Sequence, residues 1–200
     1  MLLPSMADAT ARRIHIVGGP ASGTSQLARR LGQVLAVPVY DLDAVAYEAG
    51  GGTKRTLVAR RALAAAIAQQ SGWVTQGVYL WWCEPLARHA DRIVWLDVPW
   101  RVAASRIIRR HRLATRTRSR RQPGLAQRVR LAWATRRYYL GGTREAGVTA
   151  DDNDDGAITR AATREWLEPY RDKLLRCAAV RDLDEIVSVA SGKPAMRRDD

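Results

Sequence analysis

The stretch that decides the fold is Ile14–Gly32, "IHIVGGPASGTSQLARRLG". Three signals follow one another in it. A β-branched run, Ile14 to Val17, reads as a buried strand. A glycine-rich turn follows. A helical pattern then places Leu27, Leu31 and Leu35 on one face. Strand, glycine turn and helix are the setting in which backbone N–H groups curl around a phosphate, helped by the positive end of the helix. The phosphate-loop template is G-x-x-x-x-G-K-[ST]. Gly18, Gly23 and Ser25 fall on its fixed positions, but Thr24 holds the lysine position.

Outward from that stretch, strands and helices alternate. "VPVYDLD" reads as a second strand ending in Asp41 and Asp43, and "AGGGTKR" as a flexible break. An alanine-rich helix from Thr56 closes on Gly72, and "WVTQG" is a third strand. "CEPLARHA" is a short helix and "DRIVWLDVP" a fourth, apolar strand. The helix "WRVAASRIIRRHRL" turns Val102, Ile107 and Ile108 inward. A polar basic stretch, a helix ending in "RRYYL" and an acidic loop come next. A helix fragment leads to a short strand at Lys173–Cys177, and a last helix starts near Asp182. The alternation predicts an α/β protein with a parallel sheet, and right-handed crossovers put Val17, Asp41, Gln76 and Asp97 along one rim. In open sheets of this kind, that rim carries the ligand.

Bulk composition narrows the class. The chain has 200 residues, 46% hydrophobic and 26% charged, which suits one globular domain. We expect a loose segment 1–11, one domain over 12–191 and a loose tail over 192–200. Cys83 and Cys177 are far apart and suggest neither a disulfide framework nor a zinc site. No apolar run reaches the ~20 residues of a membrane span, so a cytoplasmic location is expected. The formal charge is +13, and no acidic residue stands between Asp97 and Glu145. Such a field favours anionic partners.

Several motifs, taken in order, resemble the adenylate-kinase-like P-loop proteins. Within them, the small group labelled DNA topology modulation proteins is the most similar. That group's "GGPGSGKST-LA" is matched by "GGPASGTSQLA", its "PVYHLDD" by "PVYDLDA", and its "ADRIVWLDVP" almost verbatim. "WVTQGVY", "LAWATRRYY" and "LEPYRDKLLRC" follow in the same order. The resemblance covers roughly Ile14 to Ala190. It implies a three-layer α/β sandwich with a mostly parallel five-stranded sheet and a basic helical lid over about 109–144. It implies ATP phosphates at Gly18, Gly19, Ser22, Gly23, Thr24 and Ser25, with Ser25 on Mg²⁺. It implies a small acceptor at Asp41, Asp43 and Tyr79, and charge neutralisation by Arg106, Arg109 and Arg110.

Two charge positions depart from the family pattern. Thr24 replaces the lysine, and Gln76 replaces an acidic residue at the end of the third strand. Three consequences stay open at this level. A lid arginine supplies the charge and Asp41, Asp43 or Asp97 the carboxylate; or transfer is lost and the chain is a pseudokinase; or the basic 101–144 surface binds nucleic acid instead. The acidic run from Asp151 begins like a calcium loop, but its twelfth position is Ala162, where a bidentate Glu is required. A solvated acidic loop is the better reading. His15 reads as a packed core residue. Trp81, Trp82, Trp133, Tyr138 and Tyr139 read as packing residues first and pocket-lining residues second.

Overall fold

A computed structural model of the protein describes residues 11–48, 52–116, 135–141, 158–178 and 187; at 108 and 110–116 only the backbone is described. The expected loose ends, most of the basic stretch with Trp133, the acidic run from Asp151 and nearly all of the last helix lie outside those residues.

Five strands form the sheet: β1 (Arg13–Gly18), β2 (Val39–Asp41), β3 (Trp73–Gln76), β4 (Arg92–Leu96) and β5 (Leu174–Cys177). Their order is β2-β3-β1-β4-β5, and every neighbouring pair is parallel. The glycine turn therefore leaves the central strand. The C-terminal strand ends share one edge, with Asp41 opposite Gln76 and Gly18 opposite Leu96.

Period-two alternation in β1 feeds both faces of the sheet. Ile14 and Ile16 pack with Leu27, Leu31 and Leu35 of α1 (Thr24–Leu35). The leucine stripe read from the sequence is thus the buried face of α1. Val17 points the other way, into a cluster with Ile67 of α3 (Leu57–Ala68), Leu86 of α4 (Glu84–His89) and Trp73, Trp82 and Trp95. Helices on both faces make three layers. His15 shares that second side. It is buried, its Nδ1 lies 2.8 Å from the Thr75 hydroxyl, and its ring meets Trp166 edge-on.

Local contacts bear on three of the expectations. The second strand stops at Asp41, because the Asp41 carboxylate accepts the Asp43 N–H (3.0 Å) and starts the short helix α2 (Leu42–Ala46). Asp43 is therefore helical. The glycine run near Gly52 is flanked by an antiparallel bridge, Tyr47 to Lys54, and the Arg55 guanidinium donates to the carbonyls of Ala44, Val45 and Tyr47. Those bonds tie Arg55 to the end of α2; residues 49–51 of the glycine run lie outside the described residues. In α5 (Trp100–Arg116) Ala103 is fully buried, Val102 packs half-buried against the same cluster, Ile107 is half-buried, and the Ile108 side chain lies outside the described residues.

Candidate phosphate-binding loop and its rim

The loop runs from Gly18 to the first turn of α1. Its shape depends on small residues. A Cβ on Gly18 would sit 2.6 Å from the Ser22 hydroxyl, and one on Gly19 would overlap the Tyr138 ring. Gly23 has φ +105°, a region open to glycine, and precedes α1 without any side-chain cap. No acidic residue lies in the first turn of α1. The positive end of this helix is left uncompensated by its own side chains. Ala21 holds φ +62°, which sequence reading did not anticipate.

Side chains around the loop divide by role. The Ser22 hydroxyl is buried and has no hydrogen-bond partner among the described residues. Thr24 folds its methyl group back over Gly18. Ser25 Oγ donates to Gln76 Oε1 at 3.3 Å. The structure thus joins the expected metal-binding hydroxyl to the residue that replaces the family's carboxylate. Gln76 also bonds to the Asp41 side chain. Burial raises the Asp41 carboxyl above its ordinary range, and the nearby Asp43 charge adds to that, against the bonds from Asp43 N–H and Gln76. The Tyr79 hydroxyl donates to Asp43 Oδ1 at 2.6 Å. Asp41, Asp43, Gln76 and Ser25 therefore form one connected rim, and Tyr79 closes it at Asp43.

Of the three expected arginines, Arg106 reaches the loop. Its Nη1 donates to Ala21 O (3.2 Å) and to Ser22 O. Burial lowers the Arg106 pKa, and the neighbouring Arg109 charge lowers it further. Arg109 is exposed. The side chain of Arg110 lies outside the described residues.

Asp97 does not serve as a spare metal carboxylate. Its side chain is 1% exposed, and both oxygens are occupied. Arg160, at the start of α7 (Arg160–Leu167), donates to Oδ1 and Oδ2, and Arg176 of β5 donates to Oδ2 at 2.8 Å from Nε. Burial pushes the Asp97 carboxyl up, but the bonds from Arg160 and Arg176 outweigh it and hold the pKa below the ordinary value. Arg176 also lies over the Trp95 ring. Sequence spacing shows neither pairing, because Arg160 and Arg176 lie 63 and 79 residues from Asp97 along the chain.

A second unforeseen contact comes from α6, residues 135–140. Tyr139 donates its hydroxyl to Pro20 O at 3.1 Å, and Tyr138 packs on Gly19. Both tyrosines are buried, as the packing reading expected.

The all-parallel sheet in this order, with helices on both faces and a glycine loop leaving the central strand for an uncapped helix, is a three-layer α/β fold. No family model matches the chain, and no curated protein does. Among solved structures it is similar to a gluconokinase from Sinorhizobium meliloti (14% identity, 92% of each chain covered, TM-score 0.48). It is similar also to a putative kinase from Chloroflexus aurantiacus (16% identity, 93% of this chain and 100% of that one, TM-score 0.48). A shikimate kinase from Acinetobacter baumannii aligns over 64% of this chain and 76% of its own (19% identity, TM-score 0.37).

Proposed function

We propose that the chain binds the phosphates of a nucleoside triphosphate such as ATP in loop 18–25 and transfers a phosphoryl group to a small acceptor at the Asp41–Asp43–Tyr79 rim. The observation that carries this reading is the buried Ser22 hydroxyl without a partner. An orphaned buried polar group costs roughly 1–3 kcal/mol. A phosphate oxygen at the mouth of the loop would satisfy it. The uncapped end of α1 supports the same ligand.

The residues also fit a magnesium ion. Ser25 and Asp41 would hold it, and Gln76 ties the two together. When bound, the ion supplies charge neutralisation between the phosphates. Asp43 and Tyr79 orient the acceptor hydroxyl by hydrogen bonding. Arg106 is the cation at the loop and takes part of the lysine's charge-neutralising role. Positioning and electrostatics dominate phosphoryl transfer. Loss of one preorganised charge therefore slows the step by roughly 10²–10³-fold rather than abolishing it. The nucleic-acid reading rests on residues 101–144, of which 117–134 and 142–144 lie outside the described structure, and no contact among the described residues favours it.

Ser22→Ala tests the proposal with two readouts of opposite sign. Removal of an unpaired hydroxyl raises the free protein's stability by about 1 kcal/mol. It lowers ATP affinity by roughly 2- to 10-fold, the worth of one hydrogen bond. Melting temperature and calorimetric titration with MgATP read the two effects. Unchanged ATP affinity in Ser22→Ala would remove the hydroxyl from the site.

A further inference from the structure

Three consecutive loop carbonyls each receive a side-chain donor from outside the loop. Pro20 O takes the Tyr139 hydroxyl at 3.1 Å. Ala21 O and Ser22 O take the same nitrogen, Nη1 of Arg106. The donors come from α6 and α5, which lie more than a hundred and more than eighty residues along the chain from the loop. No regular secondary structure requires these bonds.

The peptide geometry gives them a consequence. A trans peptide is planar, with its C=O and the following N–H pointing in opposite directions. Carbonyls 20, 21 and 22 drawn toward α5 and α6 turn the N–H groups of Ala21, Ser22 and Gly23 the other way. The Ser22 N–H already bonds Gly19 O at 3.1 Å inside the loop. Two features make outside support necessary. Ala21 sits at a positive φ that an L-residue resists, and the Thr24 side chain cannot reach across the loop as a lysine would.

We infer that Arg106 and Tyr139 are positioning residues: they grip carbonyls 20–22 from outside and hold the loop's amides in the phosphate-receiving orientation. The inference rests on the loop being a phosphate site. It assigns Arg106 a role through the backbone, beyond its charge. The Tyr139 role is independent of charge, because burial pushes its hydroxyl well above the ordinary range and keeps it a neutral donor.

Two measurements on the full chain test the inference. The first needs no ligand: amide hydrogen exchange over residues 18–25 in wild type, Tyr139→Phe and Arg106→Met. Faster exchange of that segment, with an unchanged melting temperature in Tyr139→Phe, is expected. Exchange equal to wild type in both variants overturns the inference, whatever the ligand data show. The second measurement is titration with MgATP and with inorganic tripolyphosphate. Each variant is expected to lose roughly 2- to 10-fold in affinity for both ligands. The double variant is expected to lose less than the product of the two, because the grips act on adjacent peptides. Full wild-type affinity in Tyr139→Phe, or a loss matched by a drop in melting temperature, also overturns it. Absence of binding by the wild type, with exchange accelerated in the variants, leaves the grip standing and refutes the phosphate-site reading beneath it.

Discussion

Single residues in this chain carry costs that experiments can read. Ala21 occupies a left-handed conformation at φ +62°. An L-residue there is disfavoured by roughly 1–2 kcal/mol, and glycine is not. Ala21→Gly is expected to raise stability by about 1 kcal/mol in urea unfolding, once glycine's extra freedom in the unfolded chain is counted. His15 carries a cost that depends on pH. Burial lowers its pKa from 6.5 to about 3, so the ring stays neutral in the folded chain. As pH falls below 6.5 the unfolded chain takes up the proton and the folded chain does not. Stability then drops by about 1.4 kcal/mol per unit until about pH 3. Urea midpoints at pH 7.5 and pH 5 measure that slope. His15→Gln, which does not titrate, is expected to remove it over this range. The sequence placed His15 in the core, because it lies inside a β-branched run. It gave no warning of Ala21, since a positive φ is imposed by the turn and not by the residue.

At the scale of elements, the knot at Asp97 joins β4 to the start of α7 and to β5 through two arginines. Asp97→Asn keeps the volume and removes the charge. We expect a loss of about 2 kcal/mol at neutral pH, a figure reduced because both arginines are partly solvated. The sign with pH follows from the lowered folded pKa. The carboxylate's contribution is present above the ordinary value of 3.8 and is lost as pH falls through the lower folded value. Stability of wild type and Asp97→Asn is therefore expected to converge under acid. A gap that persists undiminished at pH 3 would show that packing, not charge, holds the knot. Elements with strong local periodicity were the legible ones. The α1 leucine stripe, the apolar β4 run and the strand ending at Cys177 are where the sequence put them. What was not legible depends on contacts across the chain. The Asp97 knot and the grip of Tyr139 on Pro20 have no local signature.

Across the whole molecule, the parallel sheet agrees with the alternation of strands and helices in the sequence, and the two charge substitutions remain the question of function. The structure brings Gln76 between Ser25 and Asp41 and Arg106 onto the loop. Spacing along the chain could not show either contact, since the partners come from different elements. The central claim is that loop 18–25 of the natural chain receives phosphates despite Thr24. The most direct test is calorimetric titration of wild type and Thr24→Lys with MgATP at moderate salt. The expected result is saturable one-to-one binding by both chains, at least about tenfold tighter in Thr24→Lys because an ammonium–phosphate contact is charge-assisted. A wild type that takes up no ATP at millimolar concentration, whatever Thr24→Lys does, would contradict the claim.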